Sequence, residues 1–212
     1  MIEALNTAAP WVLAALAVGY LLGSIPFGLI FTRMAGLGDI RDIGSGNIGA
    51  TNALRTGNKW VAGATFLGDA GKGAAAVLLA RHFAPEAIAP ALSLFAGAGA
   101  VCGHLFPIWL KFKGGKGFST FIGINLALYW PVVLLFGATW LLIAVLFRYS
   151  SLATLVAVAL TPVYLFLLGQ NSILPLSIFL LILIFVAHRG NIGRLLSGTE
   201  SRIGSKTSNT ES

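Results

Sequence analysis

The chain has 212 residues, of which 57% are hydrophobic and only 10% charged, and its mean hydropathy is +0.86. This excludes a water-soluble domain, because a globule of this length could not hide so much apolar surface behind a wet exterior. The formal charge of +7, from 14 Lys and Arg against 7 Asp and Glu, would suggest nucleic acid in a soluble chain; here basic loops held beside anionic lipid explain it, and no nucleic-acid partner is expected.

Apolar runs fall at residues 10–31, 60–80, 87–109, 118–129, 131–147, 151–168 and 173–187, and most are long enough to cross a bilayer with some tilt. The first follows a segment with Glu3 and no basic residue and is longer than a signal core, so it reads as a retained span. Within it, Gly23-Ser24-Ile25-Pro26-Phe27-Gly28 predicts a kink with close helix packing. The second run contains Asp69 and Lys72, whose i, i+3 spacing lets them neutralise each other as a structural ion pair. Cys102, the sole cysteine, lies in the third run, where a packing role is expected and an intrachain disulfide is excluded.

The fourth and fifth runs form either one long helix or a hairpin broken at Tyr129-Trp130-Pro131. Charge decides between them. With the hairpin and an outside N-terminus, twelve basic residues fall on the inner side and Arg81 alone outside. Merging the two runs gives seven inside and six outside. The positive-inside rule therefore predicts an all-α integral membrane fold of about seven transmembrane helices, N-terminus outside and C-terminus cytoplasmic. Trp11, Trp60, Trp109 and Trp130 then sit at span ends, as an aromatic belt places them. Residues 1–203 form one transmembrane domain, and residues 204–212 a polar tail expected to be disordered.

Three stretches on the inner side carry chemistry. The first runs from Arg41 to Arg55 and includes Gly44, Ser45, Gly46, Asn47, Gly49 and Thr51. Its formal G-x-G-x-x-G lacks the preceding strand of a dinucleotide fold. Glycines there let backbone N–H groups converge on an anion; Ser45, Asn47 and Thr51 add donors and Arg55 a guanidinium. The plainer alternative is a tight turn joining two helices. The second stretch ends in Lys111-Phe112-Lys113-Gly114-Gly115-Lys116-Gly117. It is not a Walker A box, since Gly117 stands where Ser or Thr is needed and Leu110 replaces the leading glycine. Charge retention explains Lys111 and Lys113 but not Gly-Gly-Lys-Gly, which suits a phosphate or carboxylate with Lys116 as countercharge. The third, His188 to Arg194, places His188 and Asn191 on one face if the helix continues.

Together these residues resemble the acyl-phosphate-dependent glycerol-3-phosphate acyltransferases of bacterial membranes. Three blocks carry the resemblance: Gly44 to Asn52, Gly114 to Gly117 preceded by Gly103-His104, and His188 to Arg194. Gly23–Gly28 and Gly68–Gly73 agree, and the match covers residues 10–203. Phe118 and Ser119 depart from it, standing where smaller apolar residues are commoner. The resemblance implies a seven-span enzyme of the bacterial inner membrane with its active site facing the cytoplasm. It implies transfer of a fatty acyl group from acyl phosphate to the sn-1 hydroxyl of glycerol 3-phosphate, giving lysophosphatidate and phosphate, the first step of phospholipid synthesis. Ser45, Arg55 and Lys116 would hold phosphate groups, with Asn47 lining the same pocket, and His188 and Asn191 would position the acceptor. The expected catalytic set is Ser45, Lys116, His188 and Asn191; Gly44, Gly46, Asn47, Thr51, Arg55, Gly114, Gly115 and Gly117 join them in binding.

Acyl phosphate is already activated, so positioning and charge stabilisation suffice. No Ser-His-Asp order argues for a covalent intermediate, and the H-x-x-x-x-D box of thioester-using acyltransferases is missing, with Trp109 and Gly193 at the acid's place. Either the donor's own phosphate or His188 serves as base. No metal-ligand cluster and no cofactor is expected. The rival reading is a transporter for an organic phosphate, against which stand donors gathered on one face and the lack of an inverted repeat. A structural membrane subunit is the third reading.

Overall fold

The computed structural model describes residues 2–204, with side chains from residue 8 onward; the expected tail lies outside the described residues except for Gly204. Among these residues there are helices and no strands. The chain runs through α1 (Ile2–Gly23), α2 (Phe27–Met34), α3 (Ala50–Ala53), α4 (Lys59–Phe83), α5 (Ala89–Leu105), α6 (Phe118–Phe147), α7 (Ser150–Leu167), α8 (Leu174–Ala187) and α9 (Arg189–Leu196). Four helical stretches are long and apolar enough to cross a membrane, and the bent α8–α9 pair makes a fifth. Large apolar side chains such as Leu13, Leu67, Leu134, Val145 and Phe166 face outward, the inverse of a soluble protein.

Without water to drive helices together, close backbone approach must hold the bundle. Between α1 and α5 the approach is reciprocal. A Cβ on Gly19 or Gly23 would strike the carbonyls of Ala96 or Ala100, and one on Gly99 or Gly103 would strike those of Leu16 or Tyr20. Both glycine pairs are four apart, so each lines one helix face. The remaining core is interlocked aliphatic and aromatic packing, with Val77, Val101, Phe121, Ile124, Leu180 and Ile184 fully buried.

The predicted kink in the first span is a full break: Ser24–Pro26 separates α1 from α2. Pro26 has no N–H to give and its φ is −90°. The fourth and fifth runs fold back on each other. Tyr129 leaves the helical region (φ −159°, ψ 88°) just before Pro131. The Phe118 and Trp140 rings then lie 5.9 Å apart, whereas 22 residues of straight helix would separate them by about 33 Å. Trp11, Trp60, Trp109 and Trp130 are all exposed. Trp140 instead turns inward and donates to Thr154 Oγ1.

Candidate active site

The first loop is built around one amide. Asn52, buried in α3, donates from Nδ2 to the carbonyls of Ile40, Ile43 and Asn47, and its Oδ1 accepts from Ser45 N–H. A single side chain thus closes a loop whose backbone groups have no helix or sheet to satisfy them. Gly44 and Gly46 take left-handed φ values of +56° and +66°, and a Cβ on Gly44 would also meet Asn52 and the Arg55 side chain. At the loop's entrance Asp39 accepts from the Arg41 backbone and guanidinium, and Arg41 holds its carboxyl well below the usual range.

The second loop begins because Pro107 forces Phe106 out of the helix (φ −129°, ψ 57°). Lys111 and Phe112 adopt left-handed backbone (φ 52° and 62°), and the chain turns back onto the end of α5. Gly114 N–H and Gly115 N–H donate to the Leu105 and His104 carbonyls, two acceptors that a helix end leaves open. Two long-range bonds tie this segment to α1 and its end: Tyr20 Oη donates to Phe106 O, and Trp109 Nε1 to Ser24 Oγ.

The third block does not continue straight. A 61° bend separates α8 from α9, with His188 at the corner, and both His188 and Asn191 are buried. His188 Nδ1 donates to the Ile184 carbonyl at 2.8 Å, leaving Nε2 as the free nitrogen. Burial is the main cause that lowers this histidine to about 4, with Lys116 also acting against its cation. It is therefore neutral at physiological pH.

A cleft of about 270 Å³ opens where the three blocks meet, lined by Ser45, Lys116, Ala187, Arg189, Gly190, Asn191 and Arg194. Burial, and then the nearby Arg194, pushes the Lys116 ammonium below its ordinary range. Arg55 lies within electrostatic reach of Lys116 and donates to Ser201 Oγ. Of the remaining expected residues, Gly114 and Gly115 turn inward toward His104, and Gly117 (φ +84°) caps α6. Thr51 is exposed on α3 and does not line the cleft. Asn47 Oδ1 is a buried acceptor with no partner among the described residues. Asp69 and Lys72 form the expected ion pair at 2.6 Å, both buried.

Sequence reasoning overlooked two residues of this region. Asn52 closes the Gly44–Asn52 block, where spacing alone gives it no role. Glu200 accepts from Asn191, Ser151 and Arg194, each at 2.6 Å. Burial works against its charge, but those three hydrogen bonds prevail and hold the carboxyl low. The available signal was a lone acid following the cations Arg189 and Arg194.

Apolar exterior, inward-folding polar loops and a cation-lined cleft define an integral membrane enzyme for anionic substrates. A family model described as glycerol-3-phosphate acyltransferase matches residues 13–198. A glycerol-3-phosphate acyltransferase of Mesorhizobium japonicum is 58% identical over 91% of this chain and 96% of its own. One of Brucella ovis is 54% identical over 92% and 94%. Two crystal structures of PlsY, an integral membrane glycerol 3-phosphate acyltransferase, superpose on the fold. The glycerol 3-phosphate form has TM-score 0.84, 37% identity and 91% and 96% coverage. The lysophosphatidic acid form has TM-score 0.83, 36% identity and 91% and 95% coverage. The chain belongs to the glycerol-3-phosphate acyltransferase family. It is an acyltransferase, and the transporter and structural-subunit readings are set aside.

Proposed function

We propose that the cleft holds acyl phosphate and glycerol 3-phosphate side by side at the cytoplasmic face of the bacterial inner membrane. The supporting observation is that Ser45, Lys116 and Asn191, far apart in sequence, line one cleft. In this reading Lys116, Arg55 and Ser45 hold phosphate, with Asn47 beside them, while His188 and Asn191 orient the acceptor. Residues 1–203 act as one domain of seven passes, N-terminus outside, which keeps every basic residue of the cleft on the inner side.

The sn-1 oxygen of glycerol 3-phosphate attacks the acyl carbonyl carbon. The bond from that carbon to the phosphate oxygen breaks, inorganic phosphate departs, and lysophosphatidate is formed. Cations around the cleft stabilise charge moving onto the leaving phosphate, and desolvation strengthens them. A histidine held near 4 is a weak base at neutral pH. The proton therefore passes to a phosphate oxygen of the donor, and His188 Nε2 accepts a hydrogen bond that aims the acceptor.

Purified protein in lipid, given acyl phosphate and labelled glycerol 3-phosphate, is expected to make lysophosphatidate without other proteins. Product from an acyl thioester but none from acyl phosphate would refute the donor assignment. Reporter fusions placing Lys116 and His188 on opposite sides of the membrane would refute the topology.

A further inference from the structure

Beneath the second loop lies a polar cluster that the transfer chemistry leaves unused. His104, 3% exposed, has Nδ1 at 3.1 Å from Thr120 Oγ1 of α6 and 3.6 Å from Asp69 Oδ1 of α4. Asp69 in turn pairs with Lys72, and Lys72 Nζ donates to the Ile25 carbonyl at 2.8 Å, in the break between α1 and α2. Buried polar groups in a membrane bundle are costly unless mutually satisfied. These four side chains knit α4, α5 and α6 to the α1–α2 break.

The imidazole's other edge faces the loop. A Cβ on Gly115 would fall on His104 Nε2, and one on Gly114 would fall on the His104 carbonyl. Gly115 N–H is itself bonded to that carbonyl at 3.0 Å. Gly115 therefore lies flat against a ring whose orientation is set within the helix bundle, while Gly114 packs on the His104 and Leu105 carbonyls and on Pro107. The missing side chain at each position serves close packing on the end of α5 rather than the cleft. Thr120, in the first turn after Gly117, holds the same ring from the loop's other end.

We propose that His104 is a positioning residue for acyl transfer: its ring, keyed by Asp69 and Thr120, is the floor that sets where Lys116 meets a phosphate. This rests on the assignment of Lys116 to phosphate binding. A rigid support of this kind matters because a displacement of about 1 Å in a binding group costs as much as 100-fold in rate.

The test is a size exchange across the contact, with kcat and KM for both substrates measured on the full chain in lipid. Lys116→Ala first identifies the substrate whose KM depends on the lysine. Gly115→Ala places a methyl on the ring and is expected to raise that same KM about tenfold, with a much smaller change in kcat. His104→Asn keeps an amide toward Thr120 but removes the ring atoms that face Gly115. The pair Gly115→Ala with His104→Asn is expected to return KM to within about threefold of wild type. A pair that is no better than Gly115→Ala overturns the proposal. If Gly115→Ala fails to fold, His104→Asn is compared with and without Lys116→Ala. Loss of its KM effect in the lysine-free background supports the proposal, and an equal effect in both overturns it. Unchanged KM values in Lys116→Ala would sink the Lys116 assignment instead, while the Gly115–His104 exchange still reports on the ring.

Discussion

The two glycine-rich loops differ in what organises them. The first is self-contained: Asn52 satisfies four backbone groups of its own loop, and Gly44 and Ser45 remain exposed. The second is held from outside, by Ser24 and Tyr20 in the first span and its break and by the buried His104 beneath it. Similar composition thus yields two kinds of stiffness. One is local and rests on a single amide; the other is inherited from helix packing, so it withstands the loss of any one peripheral bond.

Lys116→Ala tests the phosphate-binding role proposed for the loops and carries the largest expected effect. A loss of about 1000-fold in kcat/KM, read by lysophosphatidate formation, is expected for a partly desolvated charge at a phosphate. Asn52→Ala separates the loops. It leaves three carbonyls and one N–H of the first loop without their partner, so kcat/KM is expected to fall about 100-fold. Limited proteolysis should then cut near residues 43–48 and spare residues 111–117; equal cutting at both would show that the loops are not independent.

His188→Gln, at the corner both loops approach, is expected to cost about tenfold in rate. Because the folded histidine sits near 4 and an unfolded one near 6.5, the unfolded state takes up the proton first as pH falls. The linked stability is complete above about 6.5 and is lost on acidification toward 4. Thermal melts across that window should be less pH-dependent in the variant, and the wild-type rate should show no histidine limb near 6.5. Trp109→Phe removes one peripheral tie of the second loop, the bond to Ser24. An effect of about twofold is expected, since other contacts remain; a loss rivalling that of Asn52→Ala would erase the distinction between the loops.

The hairpin was legible in sequence because Pro131 and the charge count both disfavoured a single helix, and the fold-back at Tyr129 agrees. A kink near Pro26 was legible for a similar reason, a proline amid small residues, although the structure carries it to a full break at Ser24–Pro26. The glycine and lysine spacing pointed to the Lys116 loop, and the structure places Lys116 at the cleft. Which glycines face the cleft was not legible. The spacing of Gly114 and Gly115 suits a cradle, yet Gly114 rests on the His104 carbonyl and Gly115 on the His104 ring, because a glycine serves a ligand and a packed neighbour equally well. The 61° bend at His188 likewise put Asn191 beside Glu200, a partner nine residues on that helical spacing does not suggest.

Sequence by itself determined the solvent, the main apolar helices and the residue types offered by the polar loops. Those follow from local hydropathy, proline chemistry and charge, each readable within a few turns of chain. Tertiary structure alone decided that Ser45, Lys116 and Asn191 share a cleft and that a buried histidine underlies the lysine loop. Contacts between distant segments depend on how helix faces lock together, and small residues that permit such locking do not name their partners.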